Sequence, residues 1–257
     1  MSRPGFNAVT LEMIWTRLIS IVDEAAAALV RTSFSTIVRE SNDFACVLTD
    51  ARGQSLAQAS DSIPSFIGTV PRTVRRFLEE FPPETLSPGD ILITNDIWDG
   101  TGHLPDITVA KPVFLDGRIV GFAGSVAHSP DIGGKIRSAE CREVFEEGLQ
   151  IPIMKLQREG KLNQDLVDVI MMNVRIPERA QGDLRAQMTA VLTGERRFLE
   201  LIARYGRVPV LDSIDEILNQ SERAARARMR SIADGTYEAE SFMDDDGIEI
   251  GKPVPVK

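Results

Sequence analysis

The chain has 257 residues, a length that suits one large domain or two small ones. It is 43% hydrophobic and 26% charged, which is typical of a soluble globular protein. Its formal net charge of −9 argues against a nucleic-acid or anionic-membrane surface, because both kinds of partner need clustered positive charge.

The first half of the chain alternates between helical and strand-like patterns. Apolar residues at three-to-four spacing predict a long helix over residues 8–38 and an amphipathic helix over 66–81. Short apolar runs predict strands at residues 44–48, 54–59 and 91–94. Two longer strand-like segments, 107–115 and 118–127, are separated by Asp116 and Gly117, a pair typical of a hairpin turn.

The second half is mostly helical. An apolar run at 151–156 predicts a strand, and helical patterns cover residues 165–172, 178–205 and 211–232. Residues 248–256 alternate like a strand, so the tail resembles the first hairpin of a β-rich region. A lone hairpin is marginally stable. It either joins a sheet already present or belongs to a longer protein, and we expect the chain to be a fragment.

These patterns predict an α+β fold with mixed sheet and hairpins, long helices and a helical C-terminal layer. We divide it into a mixed α/β region with the site (1–160), a helical region (161–235) and the start of a truncated β-rich region (236–257). The spacing of Cys46 and Cys141 fits no metal or redox motif. With no signal-peptide pattern and no apolar run of about 20 residues, a cytoplasmic protein with no membrane partner is expected.

Both histidines lie in loops rich in glycine, proline and aspartate. His103 precedes the first strand of the predicted hairpin, with Asp106 three residues later, and His128 follows the second strand. A hairpin brings together the two ends that it does not join, so both imidazoles and Asp106 can converge. Two nitrogens and a carboxylate around an open position commonly hold a catalytic divalent metal, and Zn²⁺ and Mn²⁺ are both compatible. The alternative is that each histidine only forms hydrogen bonds within its turn.

Four further acids lie near these loops in sequence. Asp43 precedes the strand at 44–48 and can face a cleft, although a turn carboxylate with local hydrogen bonds is the simpler interpretation. Asp96, Asp99 and Asp131 can each orient an imidazole through its second nitrogen or merely lie in a solvated loop. The sequence has no G-x-S-x-G elbow, Walker loop or G-x-G-x-x-G motif, so neither a serine hydrolase nor nucleotide binding by this chain alone is indicated.

Several motifs together resemble the hydantoinase B family, in the expected order over residues 8–240. This family includes subunits of ATP-dependent hydantoinases and lactamases, the C-terminal half of 5-oxoprolinase, and subunits of acetone and acetophenone carboxylases. The motifs are Ser41-Asn42-Asp43-Phe44-Ala45-Cys46-Val47-Leu48, Asn95-Asp96, Gly102-His103-Leu104-Pro105-Asp106, His128-Ser129-Pro130-Asp131-Ile132-Gly133-Gly134, Asn173-Val174-Arg175-Ile176-Pro177 and Gly182-Asp183-Leu184-Arg185-Ala186-Gln187.

The resemblance implies a divalent metal held by His103, Asp106 and His128, with Asp43 as a further ligand. It also implies a hetero-oligomer in which a hydantoinase A-like subunit uses ATP to phosphorylate an enol or amide oxygen of a small-molecule cyclic amide or ketone. We predict a metal-dependent subunit of an ATP-dependent cyclic-amide hydrolase, with Asp96 or Asp131 as the base. One alternative is a subunit of an ATP-dependent ketone carboxylase. Another is a non-catalytic assembly fragment, which would bind no metal.

Overall fold

The computed structural model describes residues 8–135, 141–246 and 248–256. The helices in chain order are α1 (Ala8–Thr32), α2 (Thr36–Ser41), α3 (Thr69–Glu80), α4 (Gln164–Met172), α5 (Pro177–Tyr205) and α6 (Arg207–Met229). The strands are β1 (Phe44–Asp50), β2 (Ser55–Gln58), β3 (Ile91–Thr94), β4 (Asp106–Leu115), β5 (Arg118–His128), β6 (Met154–Arg158), β7 (Lys161–Leu162), β8 (Ser241–Met243) and β9 (Val254–Val256).

Seven strands form one antiparallel sheet in the order β2-β1-β5-β4-β3-β6-β7. The long β4–β5 hairpin lies at its centre. Strands β8 and β9 pair with each other in a separate two-stranded sheet, so the described part of the tail does not extend the large one. The predicted α+β class is confirmed. Within the described residues, no helix combines the length and the apolar character needed to cross a bilayer.

Helices cover both faces of the large sheet. Successive side chains of a strand point to opposite faces, and in β1 they divide between two hydrophobic clusters. Phe44, Cys46 and Leu48 pack in the larger cluster with α1, α4, α5 and α6, whereas Ala45 and Val47 pack in the smaller one with α3. The site described below lies at one end of β1, β5 and β4.

The prediction of one helix over residues 8–38 is wrong in one respect, because the helix is interrupted between α1 and α2. A side chain from a distant helix stabilises this break. Asp183 Oδ1, on α5, accepts hydrogen bonds from the backbone N–H groups of Phe34 (2.7 Å) and Ser35 (3.0 Å). Ser35 also caps the N-terminus of α2 by accepting from Val38 N. The helical periodicity continues through the break and therefore conceals it.

Other boundaries shift by a few residues. Helix α3 begins at Thr69 rather than residue 66, because Gly68 has a φ of +83° and interrupts the helix there. The strand predicted at 151–156 is β6 at Met154–Arg158, and the strand predicted over 248–256 is confined to Val254–Val256.

Candidate metal centre

The β4–β5 hairpin sets the position of two site residues. Its turn residues Asp116 and Gly117 have φ values of +50° and +73°, as a type I′ turn requires. A bulge then shifts the register, leaving Val120 as the extra residue between the pairs Phe114↔Ile119 and Val113↔Gly121. At the far end of the hairpin, Asp106 consequently pairs directly with His128. Directly paired residues of antiparallel strands point to the same face, so these two side chains meet.

His103 reaches the same point from the loop before β4. Its carbonyl accepts a hydrogen bond from Asp106 N (3.3 Å), which closes a turn, and the next residue, Leu104, is fully buried. The Leu104 carbonyl accepts from the side-chain amide of Asn95, at the end of β3 (2.7 Å). The same Asn95 side chain also bonds Leu149 O and Ile151 N. One buried amide thus ties residues 101–105, which we call the histidine loop, to the end of β3 and to the segment 149–151.

The ligand atoms of His103, Asp106 and His128 all lie within 4.8 Å of one another. His128 Nδ1 is 3.0 Å from Asp106 Oδ1 and 3.4 Å from His103 Nε2. An imidazole nitrogen is either a donor or an acceptor, so His128 Nδ1 cannot donate to Asp106 Oδ1 and accept from His103 Nε2 at the same time. Two nitrogens held tetrahedrally by one ion at about 2.05 Å would lie about 3.3 Å apart. The donor set and the separation of the two nitrogens therefore fit a divalent metal.

The burial of the three residues leaves one open side. The Asp106 and His128 side chains are 7% and 15% exposed, whereas that of His103 is 47% exposed. Thr101 Oγ1 donates to Asp106 Oδ2 (2.8 Å) and so holds the carboxylate with Oδ1 towards the imidazoles. A metal site with an open position towards solvent is typical of catalytic rather than structural centres.

Asp43 lies beside this cluster on the neighbouring strand. Asp43 immediately precedes β1, and the β1–β5 pairing continues to it: His128 N donates to the Asp43 carbonyl (3.0 Å). The Asp43 carboxylate Oδ2 is 3.9 Å from His128 Nδ1. The structure therefore brings three of the four predicted ligands, His103, Asp106 and His128, into one cluster. Asp43 lies beside His128 but outside that cluster, and its carboxylate is farther from His128 Nδ1 than that of Asp106 is.

The other predicted acids have different partners. Asp131 accepts hydrogen bonds from Gly133 N, from Arg175 N and from the Arg175 guanidinium (2.8 Å). Burial alone would raise the pKa of the Asp131 carboxyl, but these hydrogen bonds and the Arg175 charge together lower it below its usual value. Asp99 accepts from Arg76 on α3 (2.6 Å). Asp96 Oδ1 accepts from Trp98 N (2.8 Å).

Glu147 is a site residue that the sequence did not indicate. Its Oε2 accepts a hydrogen bond from Leu104 N (2.9 Å) and lies 3.8 Å from His103 Nδ1. It follows a one-turn 3₁₀ helix, Val144–Glu146, at a large sequence separation from His103. The segment carries no motif, and its acidic character alone is equally typical of a solvated surface.

Comparison with known proteins assigns the chain to a family. The hydantoinase B/oxoprolinase family model matches residues 7–257. The chain belongs to the hydantoinase B/oxoprolinase family. The resemblance found in its motifs is thereby confirmed.

Two relatives illustrate the breadth of this family. The chain is 34% identical over 244 residues to a putative D-/L-hydantoinase subunit of Pseudomonas sp. strain NS671, covering 93% of this chain and 41% of the relative. It is 30% identical over 249 residues to the beta subunit of caprolactamase from Pseudomonas jessenii, covering 96% of this chain and 42% of the relative. The chain thus spans about two fifths of the length of these relatives.

Two solved structures share the fold. The ATP-dependent caprolactamase from Pseudomonas jessenii superposes with a TM-score of 0.86 at 28% identity, over 98% of this chain and 45% of that one. An acetone carboxylase in its nucleotide-free form has a TM-score of 0.80 at 22% identity, over 91% of this chain and 31% of that one. The second likeness concerns the fold alone.

Proposed function

We propose that this chain is the metal-binding part of an ATP-dependent enzyme that hydrolyses cyclic amides, as a subunit of a hetero-oligomer. The observation that carries the proposal is the convergence of His103 Nε2, His128 Nδ1 and Asp106 Oδ1 on one partly open point. These three residues, with Asp43 as a further ligand, would hold Zn²⁺ or Mn²⁺. Such an ion supplies Lewis-acid polarisation of a substrate oxygen and lowers the pKa of a water molecule that it binds.

The protein groups around this point have distinct tasks. Asp106 and His128 belong to paired strands at the centre of the sheet, so their ligand atoms are held by a rigid element. The largely exposed His103 edge leaves room for a substrate to approach from solvent. The buried Asp106 carboxylate supplies negative charge that offsets part of the charge of a divalent ion.

Of the two acids predicted as a general base, Asp96 is the better candidate. Asp131 has a lowered pKa, and both of its oxygens accept hydrogen bonds that fix the loop to Arg175. A carboxylate held in that way is a weak proton acceptor. Asp96 follows β3 directly after Asn95, next to the segment that anchors the histidine loop. We assign Asp96 the task of taking a proton from the attacking water.

The names of the relatives support the substrate class and the partner. Hydantoins and caprolactam, which appear in those names, are both cyclic amides, and both relatives are named as subunits. We infer that a hydantoinase A-like subunit uses ATP to phosphorylate the amide oxygen, which makes the ring carbon susceptible to water. The carboxylase alternative has only the fold likeness in its favour, so amide hydrolysis is the preferred proposal.

A reconstituted assay tests this function. The chain is co-purified with a hydantoinase A-type subunit and given ATP, a divalent metal and a hydantoin, 5-oxoproline or caprolactam. Release of the ring-opened acid together with ADP, abolished in His103→Ala, is the expected result. Labelled bicarbonate with acetone forms a parallel arm. Incorporation of label there without amide hydrolysis would contradict the proposal and favour a carboxylase.

A further inference from the structure

We propose that Glu147 is a positioning residue that orients His103 for metal binding, an inference that rests on the proposed metal centre. The two nitrogens of His103 face different groups. Nε2 faces His128 Nδ1 (3.4 Å) and Asp106 Oδ1 (3.9 Å), whereas Nδ1 faces Glu147 Oε2 (3.8 Å). The His103 imidazole thus lies between the other two residues of the cluster and the carboxylate of Glu147, which is outside the cluster.

This arrangement favours one tautomer of the ring. To bind a metal through Nε2, a neutral imidazole must carry its hydrogen on Nδ1. At 3.8 Å the Glu147 carboxylate is beyond hydrogen-bond distance of Nδ1, but its charge still attracts this hydrogen. A carboxylate beside Nδ1 therefore favours that tautomer and makes Nε2 more basic. His103 has the most exposed side chain of the three, so it gains most from such an external constraint.

Glu147 is itself held in place. Its Oε2 accepts from the backbone N–H of Leu104 (2.9 Å), so the carboxylate is fixed to the histidine loop. Gly134 and Gly148 let its backbone pack against the loop that follows His128. A Cβ on Gly148 would lie 2.4 Å from the Ile132 carbonyl oxygen, and one on Gly134 would lie 2.3 Å from the Glu147 carbonyl carbon. Both contacts would be with backbone atoms, which could not move aside without displacing the chain, so a larger residue at either position would disturb this packing.

Neighbouring Glu146 offers a matched control. It is the last residue of the 3₁₀ helix that Glu147 follows, and it carries the same charge. Its carboxylate, however, accepts from Lys135 Nζ (3.1 Å) and Arg142 N (2.7 Å). Substitution of either glutamate by glutamine removes one negative charge from the same segment. In Glu147→Gln the side-chain carbonyl can still accept from Leu104 N, so the loop anchor is retained. The variant therefore removes only the negative charge that faces His103 Nδ1.

The experiment measures Zn²⁺ and Mn²⁺ affinity by chelator competition for the wild-type chain, Glu147→Gln and Glu146→Gln. Thermal unfolding of the metal-free proteins shows whether each variant folds. The visible spectrum of the Co²⁺ form reports ligand geometry. We expect Glu147→Gln to bind each metal about 10–100-fold more weakly and to alter the Co²⁺ spectrum, with unchanged unfolding. Glu146→Gln should match the wild type in all three measurements.

Other outcomes overturn the inference in distinguishable ways. If wild type and Glu147→Gln bind metal equally tightly with the same Co²⁺ spectrum, Glu147 does not orient His103, although the metal centre stands. Equal weakening in both variants would show a general charge effect and would also refute the role of Glu147. Should the folded wild-type chain bind no metal, the proposed function fails together with this inference.

Discussion

Substitution of Asn95 by alanine should destabilise the protein strongly, because one buried side chain joins three segments. The side-chain amide donates to Leu104 O (2.7 Å) and Leu149 O (2.9 Å), and its oxygen accepts from Ile151 N (2.6 Å). Asn95 itself is only 1% exposed. In Asn95→Ala all three hydrogen bonds are lost, and the alanine methyl group cannot replace any of them.

The magnitude follows from which partner groups water can reach. Leu104 and Ile151 are 0% and 2% exposed, so their freed carbonyl and N–H groups stay buried, whereas Leu149 is half-buried and can be hydrated. Each unsatisfied buried group costs about 1–3 kcal/mol, which gives a loss of about 2–6 kcal/mol in the free energy of unfolding. For a chain of this size, even the lower limit lowers Tm by about 4 °C.

Calorimetry or circular dichroism of the metal-free chain measures this effect. Asn219→Ala, at an exposed position on α6, is the control and should change the free energy of unfolding by less than about 0.5 kcal/mol. A Tm for Asn95→Ala within about 2 °C of the wild type would refute the reasoning. It would mean that the histidine loop does not depend on this amide for its position.

Three further predictions concern a thiol, a glycine and a buried carboxylate. Burial raises the pKa of the Cys46 thiol to about 12, so a thiol reagent at pH 8 should modify only the half-buried Cys141 in the native chain and both cysteines after unfolding. A Cβ on Gly121 would lie 2.5 Å from a backbone carbonyl oxygen of β1, so Gly121→Ala should lose about 1–3 kcal/mol in denaturant unfolding, whereas Gly235→Ala, in open space, should match the wild type. Burial alone would raise the pKa of Asp90, but hydrogen bonds from a buried lysine and two backbone amides lower it below its usual 3.8. Its stabilisation is therefore present above that value and is lost as pH falls through the lower native pKa. Asp90→Asn should be less stable than wild type at pH 7, and the gap should narrow in denaturant titrations below about pH 4.

Local patterns were enough to predict most elements and the core of the site. Strand β3 has the predicted bounds, and the Asp116-Gly117 turn between two alternating segments indicates the central hairpin directly. Because that hairpin follows from short-range signals, the proximity of the segments that carry His103, Asp106 and His128 could also be predicted from the sequence. The position of Asp43 needed the resemblance, since its strand pairing is not local.

The register of the hairpin could not be predicted. Strands β4 and β5 first pair at Leu115↔Arg118, next to the turn. If this pairing continued without a bulge, Ala127 would lie opposite Asp106, and the His128 side chain would point to the other face of the sheet. The extra residue Val120 corrects this, and nothing in the alternation of β5 marks it. A bulge depends on packing against the neighbouring strands, which is tertiary information.

Long-range polar contacts could not be predicted from the sequence either. The helix break before α2 depends on Asp183, 148 residues from Ser35. The contact between Glu147 and the histidine loop joins two segments with no shared periodicity. In both cases a carboxylate satisfies backbone N–H groups that local structure leaves unpaired, and sequence patterns report the periodicity of elements rather than the partners of their ends.

The most direct test of the metal centre is elemental analysis of the purified chain beside His103→Ala and His128→Ala. We predict close to one divalent metal ion per wild-type chain, lost in both variants while circular dichroism shows that each remains folded. A folded wild-type chain without metal would contradict the account and favour a non-catalytic assembly role. Variants that retain the metal in full would also contradict it, because the ion would then be bound elsewhere.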